Sequence, residues 1–475
     1  MASLADNNTS NKNITINTYV YYDTFKTMTM QNHEQDERGG VRASTGSTVK
    51  TRQILAAVIG NALEWYDFVV YGFLTVIISR LFFPADSDYA SLLAAMATFG
   101  VGFFMRPVGG ILIGIYSDRR GRKAALQLII LLMTVSMAMI AFAPTHAAIG
   151  AAAPVLIVLA RLLQGVATGG EFASATAFLV ESAPPSRRGF FGSLQMVGQG
   201  VAALGGATAG MLITQGLTPE QVDSWGWRIP FMFGLLIGPV GLWIRRHLEE
   251  TEAFIEASRE PSGAVGLRIL WGEHRRALLS SFGLVLSSTI MFYVVLVYMP
   301  TYAKTQLGIP LADAFTAQVA GLLCLIALTP LFGMLSDRIG RRSVMMLASV
   351  AYLLLPYPLL AWLLAEPGLV RLATMQVIVC GAIGIGFGAV STALAEQFPV
   401  RMRSTGLALS YNIAVMLFGG FAQLIVTWLI KATGTPLAPA YYVMFGAVIG
   451  LLAAWHLHDP VRSPANDWPA DETAA

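Results

Sequence analysis

Gly114-Ile-Tyr-Ser-Asp118-Arg119-Arg120-Gly121-Arg122-Lys123 and Gly333-Met-Leu-Ser-Asp337-Arg338-Ile339-Gly340-Arg341-Arg342 are two copies of one short loop. Each sits between long apolar segments. A duplicated G-x-x-x-D-R-x-G-R-[KR] in a hydrophobic chain marks a protein built from two similar halves. Carriage of a solute across a membrane is the leading reading.

The composition agrees. Of 475 residues, 55% are hydrophobic and only 12% charged, with a mean hydropathy of +0.60. Soluble domains are about a quarter charged, so this chain belongs in a bilayer. A membrane helix needs about 20 apolar residues. Segments of that kind run over 54–79, 91–116, 124–143, 152–182, 190–214 and 229–246, and then over 277–303, 314–335, 343–364, 371–396, 405–430 and 440–458. The reading is an all-α membrane protein with twelve transmembrane helices. The domains follow as a disordered tail (1–48), a first half (49–246), a connector (247–275), a second half (276–458) and a second tail (459–475). Met1, Met28 and Met30 are alternative starts.

Basic residues set the orientation. Arg119, Arg120, Arg122, Lys123, Arg187 and Arg188 fall in even-to-odd loops, as do Arg338, Arg341, Arg342, Arg401 and Arg403. The opposite loops hold little beyond Lys304, Arg371 and Lys431. Both termini are therefore placed in the cytoplasm.

The repeat extends further. Glu181 closes the fourth segment with Arg188 seven positions on, and Glu396 closes the tenth with Arg403 seven on. Asp118 and Asp337 lie where helices end at the cytoplasmic face. A carboxylate there can accept from the N-terminal amides of a facing helix and pair with arginines. Asp118, Arg119, Arg122, Arg188, Asp337, Arg338, Arg341, Glu181, Glu396 and Arg403 are therefore the gating candidates. Positive-inside topology alone is the plainer alternative.

Other chemistry is not visible. No lysine follows a glycine, so there is no Walker A loop. Histidines lie in tails, loops or helix ends, without zinc spacing. Cys324 and Cys380 sit in apolar runs and read as packing residues. The chain is expected to be no enzyme, to hold no metal or cofactor, and to draw on a proton gradient.

Charges at membrane depth are costly and are functional candidates. Glu64 and Asp67 share one face of helix 1; Arg106 lies on helix 2; Arg161 and Glu171 lie on helix 4. With a rise of about 1.5 Å per residue, all five can meet near the midplane. Protonating one of three acids neutralises the set. Asp67, Glu171, Glu64 and Arg161 are the proton-coupling candidates. Arg106 and Arg161 suit a substrate carboxylate, which guanidinium binds bidentately. Tyr66, Gln195, Gln199, Tyr293 and Asn412 are the uncharged candidates for substrate contact. A buried ion-pair network that only fixes helix packing is the competing explanation. The second half offers only neutral groups at depth, among them Ser287, Ser288, Thr289, Tyr298 and Gln423.

These residues resemble a known family. The duplicated loop is similar to the signature of the major facilitator superfamily, and Arg161-Leu-Leu-Gln164-Gly165 resembles its helix 4 motif, whose arginine is associated with proton coupling. Gly60-Asn-Ala-Leu-Glu64-Trp65-Tyr66-Asp67-Phe68, Met105-Arg106-Pro107, Gly169-Gly170-Glu171-Phe172 and Trp225-Gly226-Trp227-Arg228-Ile229-Pro230-Phe231 look like its metabolite:proton symporter branch. The resemblance implies two pseudo-symmetric six-helix bundles around a central cavity, in a bacterial inner membrane, most simply as a monomer. Members carry citrate and tricarballylate, α-ketoglutarate, shikimate, or proline and betaine. Phe418-Gly419-Gly420 looks more like the carboxylate carriers, and the stretch around Glu171 is closer to the α-ketoglutarate type. The expected function is proton-coupled import of a tri- or dicarboxylate. A proline/betaine carrier and a transporter-like sensor are the alternatives.

Overall fold

A computed structural model describes residues 54–55, 58–120, 122–169, 171–235, 238, 272, 274–399 and 402–461. Residues 1–55 form a unit of their own, and everything below concerns the second unit, which starts at Ala56. The proposed tail (1–48) and nearly all of the connector (247–275) lie outside the described residues.

The described chain is helical throughout. Its spans are α1 (Val58–Phe73 and Thr75–Phe82), α2 (Asp88–Arg120), α3 (Arg122–Ala141), α4 (Ala152–Ala167 and Glu171–Glu181) and α5 (Arg188–Gly216). The sixth, α6, is described over 228–235. The second half has α7 (Arg275–Leu307), α8 (Leu311–Ile339), α9 (Arg341–Ala365), α10 (Leu369–Ala395), α11 (Arg403–Thr433) and α12 (Ala438–Trp455). All twelve segments read from the sequence are present as helix, although α6 is only partly described.

Two spans expected to be continuous are broken. α1 bends by 63° at Leu74, where the Thr75 hydroxyl donates to the carbonyls of Gly72 (2.7 Å) and Tyr71 (3.1 Å). Hydroxyls that bond back along a helix bend it. α4 breaks after Ala167, with Thr168 in a turn and Gly169 in a bend, and a glycine interrupts a helix readily.

The surface is inverted relative to a soluble protein. Leu112, Leu212, Leu354, Val370 and Leu452 are all more than half exposed. Such a band of apolar side chains suits hydrocarbon, where a helix satisfies its own backbone. α7 and α10 are the interior spans: their apolar windows are 94% and 83% buried, against 33% for α8.

Glycines bring α2 onto α4. A Cβ on Gly165 would collide with the Gly102 carbonyl, one on Gly109 with Val166, and one on Gly169 with the Arg106 carbonyl. Small residues allow this approach, and the seam sets Arg106 beside Arg161. Between the halves, α5 packs along α8 and α10, and the second piece of α4 packs along α11.

Candidate functional site

Two arrangements stand out: a central cavity with charges behind its wall, and a clasp on the side carrying the duplicated loop.

The cavity lies between the halves. Trp65, Phe172, Met196 and Gln199 line it from the first half; Ser288, Thr289, Phe292, Tyr293, Phe387 and Tyr411 are among those lining it from the second. It offers ≈ 30 Å³ to the centres of water-sized molecules, where one water needs about 10–15 Å³. It holds a few waters, not a six-carbon acid. Both ends are shut. Phe172 stacks on Tyr411 at 3.6 Å on the loop side. On the other side Phe99 and Phe103 meet Tyr293 at 6.0 and 5.4 Å, and Lys431 lies 3.9 Å over the Tyr89 ring.

Arg106 and Arg161 stand behind the wall, at 2% and 0% exposure. Arg106 lies over Trp65, Phe68 and Phe103 at 5.3, 4.8 and 4.9 Å, and its Nε donates to Thr168 Oγ1 at 3.2 Å. Arg161 lies over Phe68, Tyr71 and Phe99 at 4.9, 4.6 and 5.1 Å. Its Nη1 donates to Gln164, while Nε and Nη2 have no partner. Aromatic faces stabilise a desolvated cation without using its donors. The two guanidiniums are close enough to repel each other, and Arg161 also feels Asp67 and Tyr293.

Asp67 is buried and its Oδ1 has no partner. It faces Gly234 of α6, where a Cβ would stand 2.9 Å from Oδ1. Glu64 is buried near the Tyr411 hydroxyl, which is also within hydrogen-bonding reach of Gln199 and Arg106. Glu171 opens the second piece of α4; its side chain is outside the described set.

Of the uncharged candidates, Gln199 and Tyr293 line the cavity. Tyr66 donates to the Pro230 carbonyl at 3.0 Å. Gln195 and Asn61 bond each other, with Gln195 Nε2 to Asn61 Oδ1 at 3.0 Å. Asn412 donates to the Gly169 carbonyl of the other half at 2.8 Å. All three bond within the protein wall, and Gln195 Oε1 keeps no partner. The aromatic lining, Trp65, Phe172, Phe292, Phe387 and Tyr411, was not singled out from the sequence for a role. Its one signal is adjacency: Trp65 follows Glu64, and Tyr411 precedes Asn412.

The clasp is built on α8. Asp337 accepts from the amides of Gly189 (2.7 Å) and Phe190 (3.0 Å) at the start of α5, where the helix dipole favours an anion. Gly189 permits this: a Cβ there would collide with Ser336 and the Gly333 carbonyl. Arg341 Nη1 pairs with Asp337 Oδ1 at 2.9 Å, and Nε pairs with Glu396 Oε2 at 3.2 Å. Burial pushes the Glu396 carboxyl up, and Arg341 holds it back. Gly340 ends α8 at φ +92°, a conformation that favours glycine. Thr392 of α10 adds a bond to the Arg188 carbonyl at 2.9 Å.

Of the two Glu-x6-Arg repeats, one reaches across the halves and one closes within its own half. Glu181 pairs at 2.6 Å with Arg403 of the other half, and Glu396 pairs with Arg341. Arg188 keeps a buried Nε without a partner. Arg338 is exposed, and the side chains of Asp118, Arg119 and Arg122 are outside the described set.

Twelve spans in two repeated halves, a narrow cavity between the halves and a charged clasp at the duplicated loop define a multi-pass membrane carrier of the alternating-access kind. The chain belongs to the Major Facilitator Superfamily, whose sequence profile matches residues 54–410 and again 315–475. The citrate-proton symporter of Salmonella typhi is 38% identical over 401 residues, covering 84% of this chain and 92% of that protein. The proline/betaine transporter of Salmonella typhimurium is 34% identical over 424 residues, covering 87% and 84%. The proton:xylose symporter XylE bound to 6-bromo-6-deoxy-D-glucose shares the fold, with a TM-score of 0.72 at 18% identity over 87% of this chain and 97% of that one.

Proposed function

We propose that this protein is a proton-coupled symporter that imports a small organic acid, a tri- or dicarboxylate such as citrate or α-ketoglutarate, across a bacterial inner membrane. The observation that carries the reading is the pair of buried arginines behind the cavity wall, one of them with two nitrogens that have no partner. A carboxylate entering the widened cavity meets Tyr293 and Gln199 first, and Arg106 and Arg161 behind them. Guanidinium binds such a group with two parallel hydrogen bonds. The relationship to a citrate-proton symporter supports the same substrate class.

Asp67 is the proposed proton carrier, with Glu171 and Glu64 as the other acids. A carboxylate enclosed at membrane depth crosses most cheaply with a proton on it. The loop side faces the cytoplasm, as do both termini, so the clasp around Asp337 is the inner gate. Import proceeds by rocking of the halves: the outer contacts open, substrate and proton bind, and the clasp then releases. The protein works as a monomer, needs no metal or cofactor beyond the proton gradient, and is no enzyme.

A second reading has its own observation. The cavity wall is rich in aromatic faces, which suit a quaternary ammonium, and a proline/betaine transporter is also a relative. One experiment separates the two: uptake of labelled citrate by proteoliposomes, with and without an inward proton gradient, against unlabelled tricarballylate, α-ketoglutarate, shikimate and betaine. Gradient-driven uptake blocked by the carboxylates is the expected result. No citrate uptake, with none of the carboxylates binding, overturns it in favour of the osmolyte carrier or a sensor.

A further inference from the structure

The wall residue Tyr293 stands in an unusual stretch of α7. Residues Phe292–Tyr298 form wide, π-helical turns, and Pro300 follows two positions later. Proline has no N–H, so the carbonyls that would reach position 300 lose their donor. These are Leu296 for an α-helical bond and Val295 for a π-helical one. The apolar window of α7 is 94% buried, and Val295 and Leu296 are themselves buried, so no lipid headgroup or bulk water reaches these carbonyls. A buried orphan carbonyl is costly.

A side chain from another helix fills the gap. Gln376 of α10 donates from Nε2 to the Val295 carbonyl at 3.2 Å, and from the same nitrogen to Gln318 Oε1 of α8 at 2.6 Å. Gln376 and Gln318 are 1% and 0% exposed. A carbonyl only accepts, so the Gln376 atom facing Val295 must be its NH2, and the Gln318 atom facing that NH2 must then be its oxygen. Gln376 Oε1 and Gln318 Nε2 are left without partners. Two amides are thus kept half-satisfied at full burial for the sake of one backbone oxygen.

We propose that Gln376, oriented by Gln318, is a positioning group for transport: it stands in for the amide that Pro300 lacks, holds the wide turns of α7 open, and so sets Tyr293 against the cavity. This rests on the carrier reading above for its functional consequence, but the clamp itself is independent of which solute is carried. π-Helical turns recur at functional sites, and here the clamp ties the turn to two helices of the same half. α7 then moves as part of that half when the halves rock.

The test uses full-length protein with Gln376→Leu, Gln318→Leu, Pro300→Ala and the Gln376→Leu/Pro300→Ala pair. Hydrogen–deuterium exchange of the stretch from Tyr293 to Ala303 is read without substrate. Reconstituted protein gives KM and turnover for labelled citrate. Gln376→Leu should speed exchange in this stretch roughly ten-fold, the size of one lost hydrogen bond, and raise KM several-fold more than it lowers turnover. Gln318→Leu should do the same more weakly. In the Pro300→Ala background position 300 has its own amide, so adding Gln376→Leu should have little further effect. Unchanged exchange in Gln376→Leu and Gln318→Leu, or effects of Gln376→Leu and Pro300→Ala that simply add, overturns the proposal. If the parent protein carries no citrate, the carrier reading fails while the exchange data still decide the clamp.

Discussion

The Asp337 carboxylate of α8 accepts a 2.7 Å hydrogen bond from the amide of Gly189, the first turn of α5, and so joins one half of the protein to the other through a helix end. Both residues were placed by backbone geometry: Gly189 has no Cβ to block the approach, and α8 ends at the left-handed Gly340 just beyond Asp337. Removing the charge leaves Arg341, at 1% exposure, with one anion instead of two. Asp337→Ala should destabilise the closed clasp by about 3–5 kcal/mol, the range for breaking a buried pair. The conservative change Ser193→Cys, buried beside Gly333 of the other half, should then react faster with a membrane-impermeant maleimide from the loop side. Labelling as slow as in the parent protein would show that the clasp does not hold that side shut.

The crosswise pair behaves differently because it is wetter. Glu181 has 43% of its side chain exposed, and exposed pairs contribute about 0–1 kcal/mol. Arg403→Gln should move the melting temperature little. In uptake assays the charge swap Glu181→Arg with Arg403→Glu should recover most of what either single change loses.

Glu396 gives the clasp a pH dependence. Its carboxyl is pushed up from an ordinary value of 4.5 by burial. A carboxyl raised in the folded state binds its proton more tightly there, so folding is favoured below the raised value and loses that share as pH climbs through the window above 4.5. Thermal stability should therefore show a downward slope with rising pH in that window. The slope should flatten in Glu396→Gln, measured in one detergent at constant ionic strength.

Arg161 and Asp67 test binding and coupling separately. Arg161→Lys keeps the charge but loses the planar fork and its fit among Phe68, Tyr71 and Phe99; citrate uptake should fall at least ten-fold. Asp67→Asn should abolish accumulation driven by a proton gradient while leaving exchange of labelled for unlabelled citrate measurable. Full gradient-driven accumulation in Asp67→Asn would remove Asp67 from the coupling scheme.

The α2–α4 seam is tested by volume. Gly165→Ala drives a Cβ into the Gly102 carbonyl, and overpacking of this kind costs about 1–3 kcal/mol. Its effect should appear as a lower melting temperature, with Arg106 and Arg161 displaced and uptake lost together.

The amino-acid order determined the architecture by itself. Twelve apolar segments, the repeated loop and the two Glu-x6-Arg pairs are local patterns, and a bilayer leaves a helix as the way to satisfy each segment's backbone. It also singled out Asp67, Arg106 and Arg161, charges among apolar neighbours that the fold buries. Partnership was decided only in three dimensions. Glu181 and Arg188 are neighbours in the chain, yet Glu181 reaches Arg403 across the interface, because the second piece of α4 packs along α11. Tyr66, Gln195 and Asn412 are polar residues in apolar helices like Tyr293, yet only the tertiary structure shows that each donates a hydrogen bond to another span of the protein. The aromatic wall and the bend of α1 were equally hidden, since an aromatic side chain in a membrane helix reads the same toward lipid, core or cavity. Which of these it faces depends on helix rotation and crossing, and those are settled by packing between segments far apart in the chain.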